Sequence, residues 1–195
     1  AGSTATTWPT VVIPKATANP SLNLGANCDT RVLLVLDESY SIAQANAVDD
    51  VRAGATAFVA GLINTPIQIG VVEFNAQARK VQISGNDYNT ATPAFSSAFA
   101  AYINGTASGS ASNRYDPAEY TGNDRYTNWQ AALTTSYNYA SAKPNFVVFL
   151  TDGDPTAYGT TNNPTTGLAN GSSLAMNPAF DAAETLRKAG IKLFA

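Results

Sequence analysis

The sequence predicts a doubly wound α/β domain: a mostly parallel central sheet with one antiparallel edge strand and helices on both faces. Two observations carry this expectation. The runs Val32–Leu36 and Phe146–Leu150 are continuously apolar, as strands covered on both faces are, and Ile67–Phe74 is a third apolar strand. Between them the apolar residues recur at helical spacing, so strand and helix alternate along the chain.

Each element has its own signal. Residues 1–29 carry Pro9, Pro14 and Pro20 among Thr, Ala and Asn, and read as an extended arm with one strand-like stretch at 10–13. The first strand stops abruptly at Asp37. Val48, Val51, Ala55, Phe58, Val59 and Leu62 then mark an amphipathic helix, which Thr65-Pro66 ends. Residues 75–78 are short enough for a hairpin turn, so 79–83 returns antiparallel as the edge strand. A helix over 94–103 leads into a polar loop, 105–124, long enough to be a functional or variable insertion. A helix over 128–140, the strand 146–150, a second polar loop over 153–173 and a helix over 178–189 follow, with Gly190 as C-cap. The last five residues start a strand. Such domains rarely finish on an unfollowed strand, so 30–195 is expected to be a domain truncated at its C-terminus.

Composition narrows the function. Of 195 residues only 13% are charged, against about 25% in an ordinary globular domain. Eleven Lys and Arg against fourteen Asp and Glu give a net charge of −3 without a basic block, which argues against nucleic-acid binding. No apolar run is long enough for membrane insertion, and the first residues lack the form of a signal peptide, so the chain reads as mature or trimmed. Cys28 is the single cysteine: a buried thiol, or half of a bridge to a segment outside this sequence. There is no His, which removes the commonest general base and leaves oxygen as the donor for any metal. Asn104-Gly105-Thr106 and Asn170-Gly171-Ser172 fit the glycosylation pattern but read first as turns.

Ligands of open parallel sheets bind beyond the carboxyl ends of the strands. Two strands here end in carboxylates, at Asp37 and, through Thr151, at Asp152. In Asp37-Glu38-Ser39-Tyr40-Ser41, alternation turns Asp37, Ser39 and Ser41 toward one centre and Glu38 and Tyr40 away from it. These are hard oxygen donors suited to Mg²⁺, with Mn²⁺ or Ca²⁺ as alternatives. Because several are neutral, the ion stays electrophilic enough to accept an anionic oxygen from outside.

Here the residues resemble the metal-ion-dependent adhesion site (MIDAS) of von Willebrand factor type A domains. The likeness lies in Asp37-x-Ser39-x-Ser41, in Thr127-Asn128-Trp129-Gln130-Ala131-Ala132-Leu133 and in Thr151-Asp152-Gly153, in that order over about residues 30–195. It implies that Ser39, Ser41 and Thr127 contact the metal, and that Asp37 and Asp152 hold it directly or through water. Tyr40 departs from the Gly common at its position and is expected to point outward on the metal face. Tyr126 is expected at the rim with Tyr115 and Tyr120, or packed within the loop. Asp154 reads as a turn residue, or as an outer residue of the same rim. Trp129 is expected in the core.

The resemblance implies a metal-dependent adhesion or ligand-binding domain, not an enzyme, that takes an acidic group of a protein partner such as a host or matrix protein. The phrasing of Asp37-Glu38-Ser39, with Cys28 before it, and of Thr151-Asp152-Gly153-Asp154-Pro155 is similar to exported bacterial surface proteins of the family, pilus-tip adhesins included. The Thr- and Asn-rich composition agrees with an extracellular, cell-surface setting rather than a cytoplasmic complex. Two alternatives stand beside this. In one the metal is structural and the long loops bind, through Tyr115 or Tyr120. In the other the chain is a Mg²⁺-dependent aspartyl phosphatase, but Ser39 stands where such enzymes resemble a second acid, and no Lys or Gly-rich phosphate loop accompanies the strand ends.

Overall fold

The computed structural model describes residues 29–106 and 114–195. The expected arm over 1–28, with Cys28, lies outside them. In chain order the elements are β1 (Arg31–Asp37), α1 (Tyr40–Gln44), α2 (Val48–Leu62), β2 (Gln68–Phe74), β3 (Ala78–Val81), β4 (Asn89–Thr90), α3 (Pro93–Ile103), α4 (Trp129–Tyr137), β5 (Phe146–Leu150), β6 (Tyr158–Thr160), β7 (Asn163–Thr165), α5 (Ser173–Lys188) and β8 (Lys192–Phe194).

The main sheet runs β3-β2-β1-β5-β8, with the two-residue β4 also paired to β2. β2 and β5 both lie parallel to β1, and β8 lies parallel to β5. β3 returns antiparallel on β2, placing Phe74 opposite Ala78, and β4 pairs antiparallel with the other end of β2. This is the predicted sheet with its antiparallel edge.

The continuous apolar run of β1 divides between two cores. Val32, Leu34 and Leu36 join Ile69, Val71, Val59 and Phe99 beneath α2 and α3. Leu33 and Val35 face the other way, joining Val72, Phe74, Val147, Phe149, Leu133 and Leu186 beneath α4 and α5. Each fully buried Leu or Val of such a strand is worth about 1.5–3 kcal/mol, so β1 fixes both layers at once.

One backbone position is dictated by a neighbouring ring. A Cβ on Gly70 would lie 2.7 Å from Tyr139 Cε1. The Tyr139 hydroxyl accepts from Val71 N at 3.1 Å and donates to Asp87 O at 2.5 Å, so the ring is pinned across β2.

Three local expectations need correction, and a fourth is decided between its alternatives. The turn after β1 becomes the short helix α1, which leaves Ser39 extended as its N-cap and places Tyr40 and Ser41 in its first turn. The polar loop after β5 contains a hairpin, β6–β7. α5 begins at Ser173 rather than at Pro178, which lies inside it. Pro178 removes one backbone bond, and the helix continues because Ala175, Ala179 and Leu186 are buried as α5 packs on α4. Finally, Tyr115 takes the packed one of its two expected places, wholly buried in the α2–α3 core, so it is not a binding residue on the loop surface. Gly190 does close α5, with φ of 78°. Among the described residues no helix is long and apolar enough to cross a membrane.

Candidate metal centre

The strand order places β2 on one side of β1 and β5 on the other, so the chain changes direction across the sheet between β1 and β5. The crevice at such a switch point is where open α/β sheets bind ligands. Asp37 closes β1 and Asp152 follows β5 by two residues, so both reach that crevice.

The donors are held by one another. Ser39 Oγ lies 2.9 Å from Ser41 Oγ, and Ser41 Oγ donates to Asp152 Oδ1 at 2.9 Å. Asp37 accepts from Ser39 N at 2.8 Å through one oxygen and from Thr151 Oγ1 at 2.6 Å through the other. The Thr151 bond ties the ends of β1 and β5 directly. Sequence reading missed it, because only the parallel pairing sets residue 151 beside residue 37.

Thr127 arrives from the far side, on the segment before α4. Its carbonyl accepts from Thr156 N at 2.9 Å and Ala157 N at 3.0 Å, while its N–H donates to Thr156 Oγ1 at 3.1 Å. Asn128 then caps α4, accepting from Ala131 N at 3.0 Å. Thr127 thus stands on a clamped backbone, lining one cleft of about 390 Å³ with Ser41 and Asp152. Tyr40, Tyr126, Asp154 and Arg125 line the same cleft. Of the residues expected at the centre, Ser39, Ser41 and Asp152 are joined by hydrogen bonds, Asp37 joins them through the Ser39 N–H, and Thr127 shares the cleft.

The electrostatics are those of an unbalanced site. Asp37 is 1% exposed, and burial pushes its carboxyl up to about 6, against the hydrogen bonds from Ser39 and Thr151 that favour the ionised form. Asp152 adds a further unfavourable charge to Asp37. Among the described residues no Lys or Arg forms an ion pair with Asp37 or Asp152. Nor do three or more His, Cys, Asp or Glu side chains gather anywhere in those residues, so a cation here depends on the hydroxyls. Two carboxylates without an ion-pair partner, joined by neutral oxygens, fit a hard divalent ion.

Glu38 turns away from the centre, as alternation predicts, and is buried against Arg79 at 2.6 Å. Trp129 packs edge-on against Phe149, its centroid 5.9 Å away, at the border of the α4–α5 core.

Comparison with known proteins identifies the fold. A family model for the von Willebrand factor type A domain matches residues 32–195. No curated protein matches the chain. The pilus adhesin SpaC from Lactobacillus rhamnosus GG, in its open conformation, is similar with a TM-score of 0.51 and 18% identity over 85% of this chain and 23% of that one. PilB, a minor pilin from Streptococcus sanguinis, gives 0.53 and 18% over 85% of this chain and 48% of its own. Proximal thread matrix protein 1 from the mussel byssus gives 0.53 and 14% over 85% and 36%. A second structure of that mussel protein, with a TM-score of 0.50, has a zinc-occupied MIDAS motif. At these identities the likeness is one of fold, and the chain spans from 23% to 48% of the length of these three solved chains.

Proposed function

This chain belongs to the von Willebrand factor type A domain family, and from that premise we propose that its β1–β5 crevice is a metal-dependent binding face. Asp37, Ser39, Ser41, Thr127 and Asp152 would hold a divalent cation, Mg²⁺ by donor chemistry with Mn²⁺ or Ca²⁺ as substitutes. A bound cation of this kind supplies a Lewis-acidic position for an incoming carboxylate. The observation that carries the reading is the pair of carboxylates, joined through Ser39 and Ser41, with which no Lys or Arg among the described residues forms an ion pair.

The chain's residues divide the task. Asp37 and Asp152 supply the negative charge. The Ser and Thr hydroxyls fill positions without cancelling the cation, so an acidic side chain of a protein partner gains by joining it. Tyr40, Tyr126 and Asp154 line the mouth and would meet the partner's flanking residues. The lack of any His agrees with capture rather than hydrolysis. The fold likeness to SpaC and PilB supports placing the domain in an exported, surface or pilus-associated protein that adheres to a host or matrix protein.

Metal-free protein titrated with Mg²⁺ is expected to gain stability. At a hundred times the dissociation constant the gain is about 2.7 kcal/mol, or roughly 5–10 °C in Tm for a domain of this size. A glutamate-containing peptide used as probe should then bind the Mg²⁺-loaded domain and be released by EDTA. Peptide binding that survives EDTA unchanged contradicts the reading.

A further inference from the structure

Resting on the metal reading above, we propose that Arg79, Glu38 and Tyr115 are positioning residues: they strap the segment carrying Thr127 to the end of β1 and to the β2–β3 hairpin. The segment from Tyr115 to Asn128 has no strand of its own, only single 3-10 turns at Pro117–Glu119 and Gly122–Arg125. Something else must set its path.

Two ties hold its beginning to β1. The Tyr115 hydroxyl donates to the carbonyl of Asp37 at 2.7 Å, and Asp116 N donates to Glu38 Oε1 at 2.6 Å. The second oxygen of Glu38 accepts from Arg79 Nη2 at 2.6 Å, and the Arg79 guanidinium lies 5.3 Å from the centre of the Tyr120 ring. Arg79 also stands 2.8 Å from Glu73 Oε2, whose other oxygen accepts from the Tyr102 hydroxyl. The end of the segment rests on the hairpin turn. Gln77 Nε2 donates to Asp124 Oδ1 at 3.1 Å, and Asn128 donates from its backbone to Asn75 O and from its side chain to Ala76 O, both at 2.9 Å.

Stability alone does not explain this arrangement. Two buried carboxylates share one guanidinium, and well-packed apolar residues commonly hold such a place as well or better. What apolar residues lack is direction. Glu38 directly follows β1 and fixes Asp116, so the stretch that supplies one metal donor also sets the start of the segment that supplies Thr127.

The test uses the whole chain and two readouts, Mn²⁺ affinity and amide hydrogen exchange of the metal-free protein. Tyr115→Phe keeps the ring and removes only the bond to Asp37, and Arg79→Gln removes the strap's charge. Val59→Ala, in α2, is the control for general loss of stability. Partners of this outer kind typically change metal affinity by about 10–100-fold. The expected result is Mn²⁺ binding weakened about tenfold in Tyr115→Phe, and faster exchange at amides of 115–127 with β1 and β2 still protected. Val59→Ala should lower Tm and leave Mn²⁺ affinity alone. If Arg79→Gln does not fold, Tyr115→Phe decides the matter. Wild-type binding matched by Tyr115→Phe, with exchange unchanged, overturns this inference alone. A wild type that takes up no Mn²⁺ overturns the metal reading and the role in metal binding with it, whereas the exchange data still judge the strap.

Discussion

At pH 7 and without divalent metal, Asp37→Asn is expected to be more stable than the wild type by about 1–3 kcal/mol, while losing uptake of Mg²⁺ and Mn²⁺ altogether. The wild-type carboxyl has an ordinary value of 3.8 and is pushed by burial to about 6 in the folded chain. Between those values the native state holds more protons than the unfolded one, so stability falls as pH rises. The cost is complete above the folded value and absent below the unfolded one. An Asn avoids it without losing the bonds: its oxygen accepts from Ser39 N, and its amide donates to Thr151 Oγ1, which sit where the two carboxylate oxygens are met. Glu38 is also raised, to about 7, by burial against the pull of Arg79, and Glu73 is raised by burial and by Glu38. Acid therefore stabilises both proteins, and the difference between them isolates Asp37. Chemical unfolding of metal-free wild type and Asp37→Asn between pH 4 and 8 checks this. The gap should be widest near neutrality and close toward pH 4; a wild type more stable than Asp37→Asn at neutral pH would contradict it.

Gly70→Ala is expected to cost about 2–4 kcal/mol and to lower Tm by roughly 5–15 °C, with no change in metal affinity of the folded protein. The added methyl would sit 2.7 Å from Tyr139 Cε1 and 2.9 Å from its Cζ. The ring cannot step aside cheaply, because its hydroxyl is bonded to Val71 N and Asp87 O across β2. Overpacking commonly costs about 1–3 kcal/mol, and each buried bond surrendered adds about 1. In a double-mutant cycle with Tyr139→Leu, the second change should recover part of the loss. Additive costs would show that the ring is not what excludes the methyl.

What was readable in the sequence follows from how local its cause is. The strands β1 and β5 stood out because burial on both faces removes polar residues from a short run, and the order of the helices followed from their spacing. The donors Asp37, Ser39 and Ser41 lie within five residues and so carried their own pattern, Asp152 was marked by its place at the end of an apolar strand, and Thr127 was reached through resemblance. The bond from Thr151 to Asp37 spans 114 positions and that from Arg79 to Glu38 spans 41, with nothing local to announce either. Tyr115 was left open between rim and packing for the same reason: only α3 and the end of β1, closing over it, decide for packing. In α5, local chemistry pointed to a start at Pro178, and packing on α4 outweighed it.

In the proposed site, oxygen donors from the end of β1 and the start of α1, from the segment before α4 and from the end of β5 share one divalent ion. Anomalous diffraction from crystals of the chain grown with Mn²⁺ tests it most directly. A single strong peak is expected in the cleft, at bonding distance from the hydroxyls of Ser39 and Ser41, and it should disappear in Asp37→Asn. A map with no peak between Asp37 and Asp152 at saturating Mn²⁺ would contradict it.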